Sequence, residues 1–197
     1  MRFERLSRRQ ALLGLAALAA APRVLGEPPL PPGSARYVVE LIVFRQPGAL
    51  PVPQPVAAIA PTTTLPGRVL PVAEADWQLT PSEAALARGG FALLAHAAWA
   101  AIVPANGRTT AHLEDVLPPA AQAAPVAGAV ALQRGQYLFL GVDLDFRPAD
   151  PGLAPNTVYS IREKRRVKFG ERHYFDHPAF GAIATVLAPR GAATDSD

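Results

Sequence analysis

The 197-residue sequence contains no cysteine. That excludes disulfide frameworks, thiolate zinc sites, cysteine nucleophiles and lipoprotein acylation, and leaves hydrophobic burial as the visible source of stability. It also lacks an apolar run of the roughly 20 residues a bilayer-spanning helix needs. Gly-x-Ser-x-Gly, P-loop, dinucleotide-fingerprint and His-Glu-x-x-His motifs are all missing, so catalysis has no motif behind it. A chain of this length, half hydrophobic, suits one modest globular domain.

What is present begins with a charged N-terminus. Arg2, Arg5, Arg8 and Arg9 precede an uncharged Ala/Leu-rich run, Ala11 to Ala21, and Val24-Leu25-Gly26 offers a cleavage point. Residues 1–26 therefore read as an export signal. Ser7-Arg8-Arg9-Gln10-Ala11-Leu12 resembles the twin-arginine consensus, with Ala11 where phenylalanine is usual, and an ordinary Sec signal is the other reading. Either route implies a periplasmic protein without stable membrane insertion. The signal also carries the charge. It holds five arginines and one glutamate, so the 19 basic and 16 acidic residues of the whole chain fall to 14 and 15. The net charge of +3 becomes −1, and the argument for a nucleic-acid partner goes with it.

Residues 27–35 form a proline-rich tether, 36–189 a single globular domain and 190–197 a disordered polar tail. Tyr37 to Phe44, β-branched and aromatic, reads as a central strand. Eight prolines between Pro47 and Pro81 make 47–79 an extended flap. Thr80-Pro81-Ser82-Glu83 opens a short helix to about Arg88, with Thr80 as N-cap and Glu83 completing a capping box. Phe91 to Val103 reads as a buried strand, although its alanines leave a helix open, and residues 104 to 125 as irregular. From Val126 an antiparallel meander is expected: Val126 to Gln133, Tyr137 to Arg147, Thr157 to Phe169 and Phe180 to Ala188. Alternation puts Leu138, Leu140, Val142, Leu144 and Phe146 on one face and Asp143 and Asp145 on the other. The fold class is α+β, mainly antiparallel β: a single sheet or partly closed barrel with a C-terminal four-strand meander, one short helix and long proline-rich loops.

Arg162, Lys164, Arg166 and Lys168 alternate along the third meander strand, placing four cations on one face at about 6.8 Å spacing. Such a stripe suits carboxylates along a polymer, or is a solvated face partly neutralised by Asp143 and Asp145. Glu163 and Arg165 fall on the opposite face, paired with each other or with Glu40, unless a bulge near Arg165-Arg166 turns both arginines outward. His173-Tyr174-Phe175-Asp176-His177-Pro178 is the sharpest cluster. On a helix, His173, Asp176 and His177 would share a face as a metal or acid-base site. Pro178 and the flanking strands oppose a helix, and in extended form the histidines face away from Asp176. A turn with Asp176 and the histidines bonding backbone groups is the remaining reading. His96 reads as a satisfied core histidine. Trp99 is a core filler or, if exposed, a sugar-stacking platform, as is Trp77.

Arg165-Arg166-Val167-Lys168-Phe169-Gly170-Glu171-Arg172-His173-Tyr174-Phe175-Asp176-His177-Pro178-Ala179-Phe180-Gly181 resembles the C-terminal signature of the CsiV family of periplasmic peptidoglycan-binding proteins. Tyr37 to Phe44, the His96-x-x-Trp99 strand and Gly128 through Tyr137-Leu138 to Asp143-Leu144 are similar in order. Ala100, Ala101 and Phe139 depart from the family's usual polar residues. The resemblance implies a non-catalytic protein that binds peptidoglycan and supports its synthesis and cell shape, assisting a class A penicillin-binding protein or its lipoprotein activator; the alternatives are a metal-dependent periplasmic enzyme using His173, Asp176 and His177, or a pure protein-interaction module. The candidate ligand-binding residues are Arg162, Lys164, Arg165, Arg166, Lys168, His173, Tyr174, His177 and Trp99, with no catalytic residue and no metal or other cofactor expected.

Overall fold

A computed structural model describes residues 30–52 and 69–188. The expected export signal, residues 53–68 of the flap and the polar tail lie outside the described residues.

Among the described residues, nine strands form two antiparallel sheets. In the first, β1 (Ala35–Arg45) is central, as its glycine- and proline-free apolar sequence predicts. It pairs with β3 (Ala92–Val103) on one side and β9 (Phe180–Leu187) on the other, with β2 (Val69–Pro71) and β8 (Arg172–Asp176) at the edges. The second sheet has the order β4 (Arg108–His112), β5 (Val126–Arg134), β6 (Leu138–Phe146), β7 (Tyr159–Val167).

The single sheet or partly closed barrel is thus corrected: there are two sheets, and no closed barrel among the described residues. The meander β5-β6-β7 forms as expected, but its fourth member is β4, and Phe180–Leu187 goes to the other sheet. The reason lies in the sequence of β9. Its residues are apolar on both faces and almost all buried, which suits a strand flanked on both sides, whereas β6 alternates apolar with polar and suits a sheet with one wet face. Residues 104 to 125 are not irregular throughout, since they contain β4 and a second helix, α2 (Leu113–Val116), where one helix was expected. The flap ends in β2 and a 3-10 turn at Glu74–Asp76.

The sheets share one core. Tyr37, Val39, Leu41 and Val43 of β1 and Trp99 of β3 join Leu140, Val142, Leu144 and Phe146 of β6 and Ile161 of β7 in a single buried cluster. On the other face of the first sheet, Ile42 and Phe44 pack against Leu79, Leu86 and Phe91, so that α1 (Thr80–Arg88) forms a third layer. The helix has the expected extent, with Pro81 in its first turn, and it stops at Gly89-Gly90 with Gly90 at φ 79°. Its capping differs. Leu79 is the N-cap, Thr80 makes no cap bond, and Glu83 turns to the sheet instead of closing a capping box.

Candidate functional site

Strands β4 to β7 present their outward side chains in rows across the second sheet. The first row is Arg108, Gln133, Phe139 and Arg166, and the second Thr110, Ala131, Gly141 and Lys164. The third is His112, Ala129, Asp143 and Arg162, and the fourth Ala127, Asp145 and Ser160. Successive rows are about 6.8 Å apart. On the two middle strands the second row is only alanine and glycine. The sheet face therefore sinks between taller edges into a trough of about 590 Å³, within the usual size of a ligand site.

The basic stripe is present, and β7 runs beside β6 without a bulge. Its four cations are not equivalent. Arg162 donates from Nε to Asp143 Oδ1 at 2.8 Å, from Nη2 to Asp145 Oδ1 at 2.6 Å and from Nη1 to the Leu144 carbonyl at 2.8 Å. Burial works against the Asp145 charge, but hydrogen bonds from Ser160 and Arg162 and the nearby guanidinium charges hold its pKa below the ordinary value. Arg162 is thus a neutralised, fixed strut. Lys164 donates to the neutral Gln133 Oε1 at 2.7 Å and lies 5.1 Å above the Phe139 ring. Arg166 stacks 3.6 Å over Tyr137. Both keep their charge available. Lys168 lies just past β7, 3.4 Å from Glu171 in an exposed pair.

Arg165 and Glu163 pair with each other on the inward side, as the alternation requires. Arg165 also donates to the Tyr174 carbonyl at 2.6 Å and sits 4.7 Å from the centre of the Phe175 ring, so it ties β7 to β8 across the two sheets. This contact is a structural role that the sequence reading of Arg165 as a ligand-binding residue did not include.

Trp99 is corrected. It is 1% exposed in the shared core, and no sugar reaches it. Alternation puts it on the inner face, where the small neighbours Ala97 and Ala101 leave room for its ring. Trp77 is half-buried, donates to the Val72 carbonyl and packs 4.2 Å from the His96 ring.

His173 to Asp176 belong to strand β8, with His173 on one face and Asp176 on the other, and His177 opens the turn that follows, exchanging backbone hydrogen bonds with Phe180. The helical arrangement that would gather a metal site does not form. Asp176 accepts from Tyr174 Oη and Gln46 Nε2, while His177 Nδ1 accepts from the Ala179 amide and its ring packs near Tyr159 and Phe180. Burial holds both His173 and His177 below the ordinary imidazole pKa, so neither supplies a cation at neutral pH. Tyr174 is exposed beside Phe44 on the α1 side of the first sheet. These three residues are thus on different faces from the trough.

A buried polar network lies under α1. Glu40 of β1 accepts from the backbone amides of Gln78 at 2.7 Å and Leu79 at 2.8 Å, doing for the helix entry what Thr80 was expected to do. His96 bridges Glu40, 2.9 Å from Nε2, and Glu83, 2.6 Å from Nδ1. Two carboxylates as partners require a proton on both ring nitrogens. Burial opposes that charge, yet the hydrogen bonds and charges of Glu40 and Glu83 raise the His96 pKa. Burial likewise opposes the Glu40 charge, and His96 with the two amides lowers its pKa.

A family model described as "Peptidoglycan-binding protein, CsiV" matches residues 57–187. The chain belongs to the CsiV family. No curated protein and no solved structure matches it. The CsiV match spans β2 to β9 and so includes the whole second sheet, while β1 with its Tyr37 to Phe44 piece precedes it. CsiV proteins are described as peptidoglycan-binding, which points to a cell-envelope ligand and a binding role. Four residues on or beside this face of the sheet were not picked out from the sequence. Arg108 and Thr110 stand in a segment read as irregular, because Arg108-Thr109-Thr110-Ala111-His112 shows no alternation of polar and apolar residues. Tyr137 and Phe169, 42% and 52% exposed, were passed over in favour of the tryptophans.

Proposed function

We propose that this protein binds peptidoglycan through the outer face of β4 to β7, without catalysis of its own. The observation carrying the reading is the coincidence, on one sheet of a CsiV chain, of a trough with available cations beside it and exposed aromatics at its end. Lys164, Arg166 and Lys168 supply the positive charge, and Tyr137 and Phe169 supply apolar rings next to it. Stem-peptide carboxylates pair with the cations while sugar rings pack on the aromatics. Each exposed pair contributes about 0–1 kcal/mol, so affinity comes from several contacts repeated along the polymer. The export signal expected at residues 1–26 supports a periplasmic site of action. The family resemblance supports a role in peptidoglycan synthesis and cell shape, with a class A penicillin-binding protein or its lipoprotein activator as protein partner.

Co-sedimentation with purified sacculi tests this. The protein is expected to pellet at low salt and to be released as ionic strength shortens the range of its charges. A Lys164→Gln/Arg166→Gln/Lys168→Gln variant is expected to stay largely in the supernatant. Arg162 is left in place because its removal would leave Asp143 without its ion-pair partner. A triple variant that pellets as the parent does would sink the proposal.

A further inference from the structure

The trough has a direction. At one end Arg108 of the first row and Lys164 of the second line the trough from opposite edge strands, and Arg108 is exposed with no partner among the described residues. At the other end Asp143, more than half exposed, has Arg162 as its one ion-pair partner among the described residues, while Asp145 pairs with both Arg162 and Arg147. Thr110, 4% exposed and lining the trough between these ends, has a hydroxyl with no hydrogen-bond partner. Burying a hydroxyl unpaired is unfavourable unless something else supplies its partner. Among the described residues two rings line the trough, Phe139, with the Lys164 ammonium 5.1 Å from its centre, and the His112 imidazole.

We propose that the trough takes a short zwitterionic peptide: the peptidoglycan stem peptide, with a carboxylate held between Arg108 and Lys164 and the free ammonium of a diamino acid directed to Asp143. This deepens the peptidoglycan-binding reading above and rests on it. The two charged ends are one to two rows apart, about 7 to 14 Å along the strands, which is the reach of one or two peptide residues. The small-residue floor admits an extended backbone, and the Thr110 hydroxyl gains its partner from that backbone or a carboxylate. Glycan contacts then fall outside the trough, at Tyr137 and Phe169.

Titration calorimetry on the full chain, with the tripeptide L-Ala-γ-D-Glu-meso-diaminopimelate as probe, tests the assignment. The tripeptide is expected to bind, with an Arg108→Ala/Lys164→Ala variant weakened tenfold or more at an unchanged melting temperature. Asp143→Asn and N-acetylation of the diamino acid are each expected to weaken binding several-fold, and together no further. Unchanged affinity in the double variant overturns the proposal, as does chitotetraose competing as well as the tripeptide. Protein that pellets with sacculi but ignores the tripeptide overturns the trough assignment alone. Protein that binds the tripeptide without pelleting overturns the polymer reading alone, and failure of both overturns both.

Discussion

Glu40 is 1% exposed and charged, and it holds the entry of α1 to the first sheet through two amides and His96. Replacing it with alanine leaves those amides and an imidazolium short of a partner. Glu40→Ala is expected to cost about 3–5 kcal/mol in chemical denaturation. The same network sets a pH dependence. Because the His96 pKa is raised, its stabilisation is complete below the unfolded value of about 6.5 and fades as pH climbs through the folded value. For Glu40 the pKa is lowered, so its contribution is present above the unfolded carboxylate value and lost only as pH falls through the folded one. His173 and His177, both lowered, act in the acid direction. The stability gap between the parent and His96→Gln is therefore expected to be largest below about pH 6.5 and to narrow toward alkaline pH; a gap independent of pH would contradict a charged His96. Trp99→Ala is expected to cost about 3–5 kcal/mol through the cavity it opens, with sacculus binding retained well below the melting temperature.

At the scale of elements, much was legible because strand alternation is a local property. β1, β3, α1 and the β5-β6-β7 meander follow from their own residues, and so does the outward direction of Arg162, Lys164 and Arg166. What escaped depends on partners distant in sequence. β4 is five residues long and gains its identity only from pairing with β5. The place of β9 is decided by β1, over a hundred residues earlier. Trp99 looked the same in sequence whether it faced solvent or the second sheet. The β5 to β6 hairpin depends on Gly128, at φ 131°, where an added Cβ would stand 2.1 Å from the Asp143 carbonyl oxygen. No side chain fits there without moving the strand that carries Asp143. Gly128→Ala is expected to destabilise the protein by more than about 1 kcal/mol and to weaken tripeptide binding as well, since this glycine also lines the trough.

For the whole molecule, the decisive quantity is where charge stands, not how much there is. The chain's +3 belongs to its expected export signal, and the basic stripe found in the sequence is further reduced by folding, because Arg162 is consumed by two aspartates. In exchange, the second sheet brings Arg108, more than fifty residues before Lys164, to the other side of the same trough. That juxtaposition was invisible in sequence because Arg108 belongs to a different strand at the opposite edge. The two faces of the molecule then divide: one sheet carries α1 and its buried Glu40-His96-Glu83 network, and the other presents the trough. The most direct measurement is a map of backbone amide chemical shifts on adding soluble muropeptides to the labelled protein. The expected result is a set of shifts confined to β4 to β7, centred on residues 108–112, 129–133, 139–143 and 162–166. Shifts centred instead on α1, Tyr174 and β8, with β4 to β7 unmoved, would contradict binding through the second sheet.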